Sequence, residues 1–178
     1  MTGAPPPTAA LPFAELGRFS ALLQRGVALR GAAGASVECF LRDRLGLDAV
    51  YVRERITTVF LDGRVVDRLD EAVLREGALL ALSAAMPGLV GATLRRAGYY
   101  AAMRSAITHR PAAAPGVAAG RELVRVKLFN LLIAELGPVL LAHGVVVGRR
   151  EAEDLLSGVV PPARLPAGDP LELRFRLE

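Results

Sequence analysis

Tryptophan is absent from this 178-residue chain, and aromatic residues make up only 5% of it. Any core must therefore be built mainly from Leu, Val and Ala. The single cysteine, Cys39, excludes an internal disulfide and a cysteine-based metal centre. Cys39 itself reads as a small semi-buried side chain, because a nucleophile needs a base and none stands near it. The two histidines, His109 and His143, have no Asp/Glu cluster at ligand spacing, so no metal site is expected. Neither a phosphate-binding glycine loop nor a dinucleotide fingerprint is present, so no cofactor is expected. Lysine occurs once, at Lys127, among 22 basic residues; that arginine bias fits GC-rich bacterial coding and carries no mechanism. The longest apolar stretches are interrupted, whereas a membrane span needs about 20 continuous apolar residues. Gly77 to Leu94 holds no charge but is interrupted by Pro87, Gly88 and Gly91, and Leu128 to Gly148 contains Glu135 and Pro138. Membrane insertion is not expected.

The first of those runs reads better as a buried strand to Ser83, then a turn at Pro87–Gly88 that feeds a helix. Apolar residues make up 52% of the chain and charged ones 22%, a globular composition. The length suits one good-sized domain or two small ones. The net charge of +4 is unevenly spread. From Arg95 to Lys127 there are seven basic residues and one acid, Glu122, whereas the rest has 15 basic and 17 acidic residues. The N-terminal "MTGAPPPTAALPF" lacks the charged and apolar regions of a signal peptide, so a reduced, cytoplasmic setting is expected.

Along the chain, residues 1–12 are Pro- and Ala-rich and read as loose. "LLQRGVAL" (22–29) reads as a strand. Ser36 is a candidate N-cap for a helix in which Val37, Phe40, Leu41 and Leu45 share one face and Gly46 marks the stop. Ile56–Leu61 and Val65–Val66 read as a hairpin around Asp62–Gly63. A turn at Glu76–Gly77 leads into a strand over 78–83. Tyr100, Met103 and Ile107 recur at helical spacing, predicting a helix over about 93–109, stopped by Pro111 and followed by the linker "PAAAPGVAAG". His109 falls at that helix's end. Residues 123–128 alternate, with Val124, Val126 and Leu128 on one face and Arg125 and Lys127 on the other. "LLAHGVVV" (140–147) reads as a strand, with Glu135 in a surface turn before it and His143 in a turn between strands. "RREAEDLL" reads as a short helix with Ala152, Leu155 and Leu156 inward. "LELRFRLE" alternates, with Leu171, Leu173, Phe175 and Leu177 inward.

The element order of the first part recurs in the second. Strand, strand, helix, strand, turn and strand in this order describe a mixed sheet curled around one helix, the β-grasp. "VRVKLFNLLIAELG", "AGDPLELRF" and, more loosely, "LREGALLALS" resemble segments of the ubiquitin-like sulfur carriers, such as the molybdopterin-synthase small subunit and the thiamine-pathway carrier. The resemblance implies an α+β chain with two β-grasp-like units: 13–92, then a basic helix and linker over 93–120, then 121–178. It also implies that 123–128 and 171–176 pair in parallel, as first and last strands of one unit. Those carriers end in a free Gly-Gly that becomes a thiocarboxylate; the first copy continues past "SAAMPGLVG" and the second ends at Glu178, so carrier chemistry is not expected.

No catalytic residues are expected, and the expected function is a non-catalytic protein-interaction module working through a sheet face or edge. The alternatives are a sulfur-carrier-like or cofactor-assembly accessory and a weak nucleic-acid contact through residues 95–127. Arg95, Arg96, Tyr99 and Arg104 are the candidate partner or anion contacts. Tyr100 and Met103 compete for the same helix; burial of large apolar groups is expected to win, leaving the arginines around the rim.

Overall fold

The computed structural model describes residues 8–11, 13–84, 86, 88–96, 98–104, 107–109 and 122–177. Two expected features, Pro87 with its turn and the linker 111–120, lie outside them. The described chain is an α+β structure with one eight-stranded mixed sheet. A 3-10 segment, Phe13–Phe19, leads from β1 (Thr8–Leu11) into α1 (Ser20–Arg25) and β2 (Val27–Arg30). Next come α2 (Val37–Cys39), which continues as a wider-wound turn over Phe40–Arg44, and α3 (Ala49–Glu54). The strands β3 (Thr58–Leu61), β4 (Arg64–Val65) and β5 (Leu79–Ser83) precede α4 (Gly88–Leu94). A 3-10 segment at Tyr99–Arg104 follows. The rest is β6 (Leu123–Phe129), α5 (Leu132–His143), β7 (Val145–Val147), α6 (Arg149–Leu156) and β8 (Leu171–Leu177).

Several elements follow from local chemistry. The Ser36 hydroxyl accepts from the Cys39 N–H and caps α2. Asp62 and Gly63 both take positive φ, the geometry of a tight hairpin turn, and set Leu61 opposite Arg64. The Asp62 carboxylate also accepts from the Leu79 N–H, tying the turn to β5. The alternation of β6 and β8 holds: Val124, Val126, Leu128, Leu171, Leu173 and Phe175 are buried.

Strand pairing departs from the sequence reading. β8 pairs in parallel with β1 and antiparallel with β7, and it is not paired with β6. β6 instead lies between β2, antiparallel, and β5, parallel, with Leu80 opposite Val126 and Leu82 opposite Leu128. The pairing expected of a self-contained second unit is therefore absent. Alternation assigns a strand its faces but not its neighbours, and here each half lends its first strand to the other. Residues 8–11, expected to be loose, are one of those lent strands. One apolar cluster runs from Leu16 through Phe40, Leu80 and Leu128 to Phe175, so both halves share a core.

Two runs expected to be strands are helical up to a glycine. Leu22–Arg25 belongs to α1 and Leu140–His143 to α5; only Val27–Arg30 and Val145–Val147 are strand. Gly26 (φ 108°) and Gly144 (φ 106°) make the two junctions. His143 is therefore the last residue of a helix. Glu135 also sits in α5 rather than in a turn. It accepts hydrogen bonds from the Tyr51 hydroxyl (2.7 Å) and Arg55 Nε (3.0 Å), clamping α3 to α5. The Arg55 bond, then Tyr51, holds its carboxyl below the usual carboxylate range.

The continuous helix expected over 93–109 is absent. α4 ends at Leu94, the Arg96 N–H turns in to bond the Thr57 carbonyl, and the chain resumes as the 3-10 segment. Residues 107–109 then run beside β4, with the Val65 N–H donating to Ile107 and the His109 N–H to Val65. The edge of the sheet is thereby closed. Among the described residues, no helix is long and apolar enough to cross a membrane.

Candidate functional site

Two concavities on the described surface combine shape with chemistry. The first lies on the face of the sheet away from its packed helices. The inward face of β3, β5 and β6 carries Val59, Leu61, Leu80, Leu82, Val126 and Leu128, all buried in the core. By the two-residue period, Phe60, Leu79, Ala81, Lys127 and Phe129 face the other way. With Met86 they line a groove of about 430 Å³. Its polar end is made by Ser83 and Asn130, whose Nδ2 donates to Ser83 Oγ at 3.1 Å. Phe129 is 40% exposed and the neighbouring Leu131 is also open. Lys127 lines the groove, and Arg125, opposite Leu79, lies on the same face two residues before it; neither has a carboxylate partner among the described residues. A groove of this kind suits an apolar group with a negative charge beside it.

The second concavity gathers most of the sequence-flagged residues. Arg95, Arg96 and Tyr99 line a cavity of about 620 Å³ together with Arg53, Tyr100 and Asp67. Arg96 uses Nη2 to cap the end of α3, donating to Val52 O (2.8 Å) and Ile56 O (3.2 Å). Burial holds its guanidinium below the usual arginine value.

Arg104 is not on the cavity wall but packed behind it. It is 5% exposed and grips both Asp67 oxygens, at 2.9 and 2.6 Å. It also donates to the Thr93 carbonyl (2.6 Å) and to Thr108 Oγ1 (3.2 Å). The expected contest between arginine and tyrosine thus ends the other way. Tyr99 and Met103 are 93% and 77% exposed, and Tyr100 is 39% exposed. A guanidinium whose donors all find oxygen acceptors can be buried at little cost, and Asp67 with the carbonyls of 93 and 95 provides those acceptors.

Cys39 is exposed rather than semi-buried, and its thiol lies 3.2 Å from Asp43 Oδ2. The hydrogen bond to Asp43 pushes the thiol up from its ordinary value, which makes it a poorer nucleophile. His109 and His143 are both pulled down by burial. Among the described residues, no group of three or more His, Cys, Asp or Glu is placed to hold a metal ion.

The sequence pointed to Arg95, Arg96 and Tyr99 through charge and aromatic spacing. It missed Arg53 and Asp67, which reach the same cavity from other segments. It also missed the groove, although the alternation of β6 already put Arg125 and Lys127 on the open face, with Phe129 next in the same series. Compared with protein-family models, curated proteins and solved structures, the chain matches none of them.

Proposed function

We propose that this chain is a non-catalytic protein-interaction module of β-grasp type, taking an apolar, acidic segment of a partner protein on the open face of β3, β5 and β6. The observation that carries the reading is the groove itself. An aromatic-floored channel on a sheet face, lined by Lys127 and with Arg125 on the same face, both without a carboxylate partner among the described residues, matches a partner segment of large apolar side chains and one or two carboxylates. The β-grasp part of the reading is supported by strand order. Across the sheet, β2, β6, β5, β3 and β4 lie side by side in a mixed arrangement whose centre is the parallel pair β5–β6. A parallel pair of first and last strands is the mark of the sulfur-carrier-like folds that the sequence resembles, here with the first strand drawn from the second half of the chain.

Selection of a random peptide library on the folded protein tests this. Enriched peptides are expected to combine aromatic or aliphatic residues with Asp or Glu. Phe129→Asp should abolish their binding, and Lys127→Glu should weaken it by about tenfold, the worth of one well-placed charge pair. Enrichment of basic peptides, or binding indifferent to Phe129→Asp, would overturn the proposal.

A further inference from the structure

The cavity beside α4 is independent of the sheet-face groove and has a different chemistry. Three arginines reach it from two segments, Arg53 from α3 and Arg95 and Arg96 from the turn after α4. Arg95 has no side-chain partner among the described residues. Arg96 has committed only Nη2 to the α3 carbonyls, so Nε and Nη1 keep their donors. Arg53 is engaged only by Glu54, its neighbour, in an exposed pair at 2.9 Å. The lining's carboxylate, Asp67, is gripped by the buried Arg104. The cavity therefore presents an excess of positive charge, with the whole fork of Arg95 and the Nε and Nη1 donors of Arg96 able to meet phosphate oxygens.

The other wall is aromatic. Tyr99 and Tyr100 meet edge to face with centroids 5.2 Å apart, and Tyr99 leaves its ring almost wholly open. Exposed ring faces beside a cationic hollow are what a flat heterocycle linked to a phosphate would occupy. The volume of about 620 Å³ lies within the roughly 300–1,000 Å³ of small-ligand sites. We infer that this cavity is a nucleotide site, with phosphate held by Arg95, Arg96 and Arg53 and the base laid against Tyr99 and Tyr100.

Titration calorimetry on the full chain at low salt, with AMP, inorganic phosphate and a short single strand of deoxyadenylate, tests the inference. AMP should bind saturably at one site. Arg95→Ala should weaken both AMP and phosphate by about tenfold, the loss of a charge-assisted contact. Tyr99→Ala, at a position too exposed to affect folding, should weaken AMP by about tenfold and leave phosphate unchanged. The strand separates the two sources of this chemistry. Affinity no better than that of AMP assigns a free mononucleotide, and a gain of more than about tenfold assigns a nucleotide within a strand. Absence of AMP binding with the circular-dichroism spectrum intact, or binding unmoved by both substitutions, overturns the site. A response to Arg95→Ala with none to Tyr99→Ala also overturns the nucleotide assignment, since it leaves an anion contact only.

Discussion

Arg104 holds together a region with little apolar packing. α4 and the 3-10 segment expose Leu89, Val90, Tyr99 and Met103, so what fixes them is polar: one guanidinium bonding Asp67, Thr93, Arg95 and Thr108. Arg104→Ala would leave the half-buried Asp67 carboxylate without this partner and the carbonyls of 93 and 95 without this donor. The expected cost is about 3 kcal/mol, the usual scale for breaking one side of a buried pair, read as a fall in the urea midpoint. Arg104→Lys should recover only part of it, because an ammonium cannot span both oxygens of Asp67. An Arg104→Ala protein as stable as the parent would remove the structural role. Local spacing could not reveal this: Asp67 lies 37 residues before Arg104 in sequence, and nothing near Arg104 distinguishes it from a solvated arginine. The same ignorance of distant acceptors explains why Tyr100 and Met103 looked like core.

At the scale of elements, the hairpin, the capped α2 and the alternating strands β6 and β8 were legible because their signals are local: a Ser hydroxyl, an Asp–Gly pair, a two-residue period. The helices ending at Arg25 and His143 were not. Each runs straight into a strand through one glycine, with apolar residues on both sides of the junction, so no change of period marks the boundary. Gly26 shows why that residue is needed. Its φ of 108° is one that side chains rarely adopt, and an added Cβ would stand 2.8 Å from Arg125 Cγ on the neighbouring strand. Gly26→Ala should cost about 1–3 kcal/mol from backbone strain, measurable by thermal or urea unfolding. Adding Arg125→Ala should return only the steric part. An unchanged midpoint for Gly26→Ala would contradict the tight junction.

For the whole molecule, the deciding fact is that neither half completes its own sheet. β6 enters between two strands of the first half, and β1 finishes the far edge against β8. Calorimetric unfolding should therefore show one cooperative transition for the full chain, with the two-state enthalpy of a single unit. Fragments 1–109 and 122–178 should each be unfolded alone and regain sheet structure when mixed. Two separable transitions, or an independently folded fragment, would restore the picture of two self-contained units. The repeat of element order suggested such units because sequence order records succession along the chain, while sheet order depends on which edges meet. The interleaving also acts during synthesis. Until residues 123–129 have been made, β2 and β5 lack the strand that lies between them, so the first half has no complete sheet to fold into. The chain from Ser83 to Leu123 takes on the order of seconds to make. For that interval the first half keeps its apolar segments open to water, and folding of the whole chain waits for its last strands.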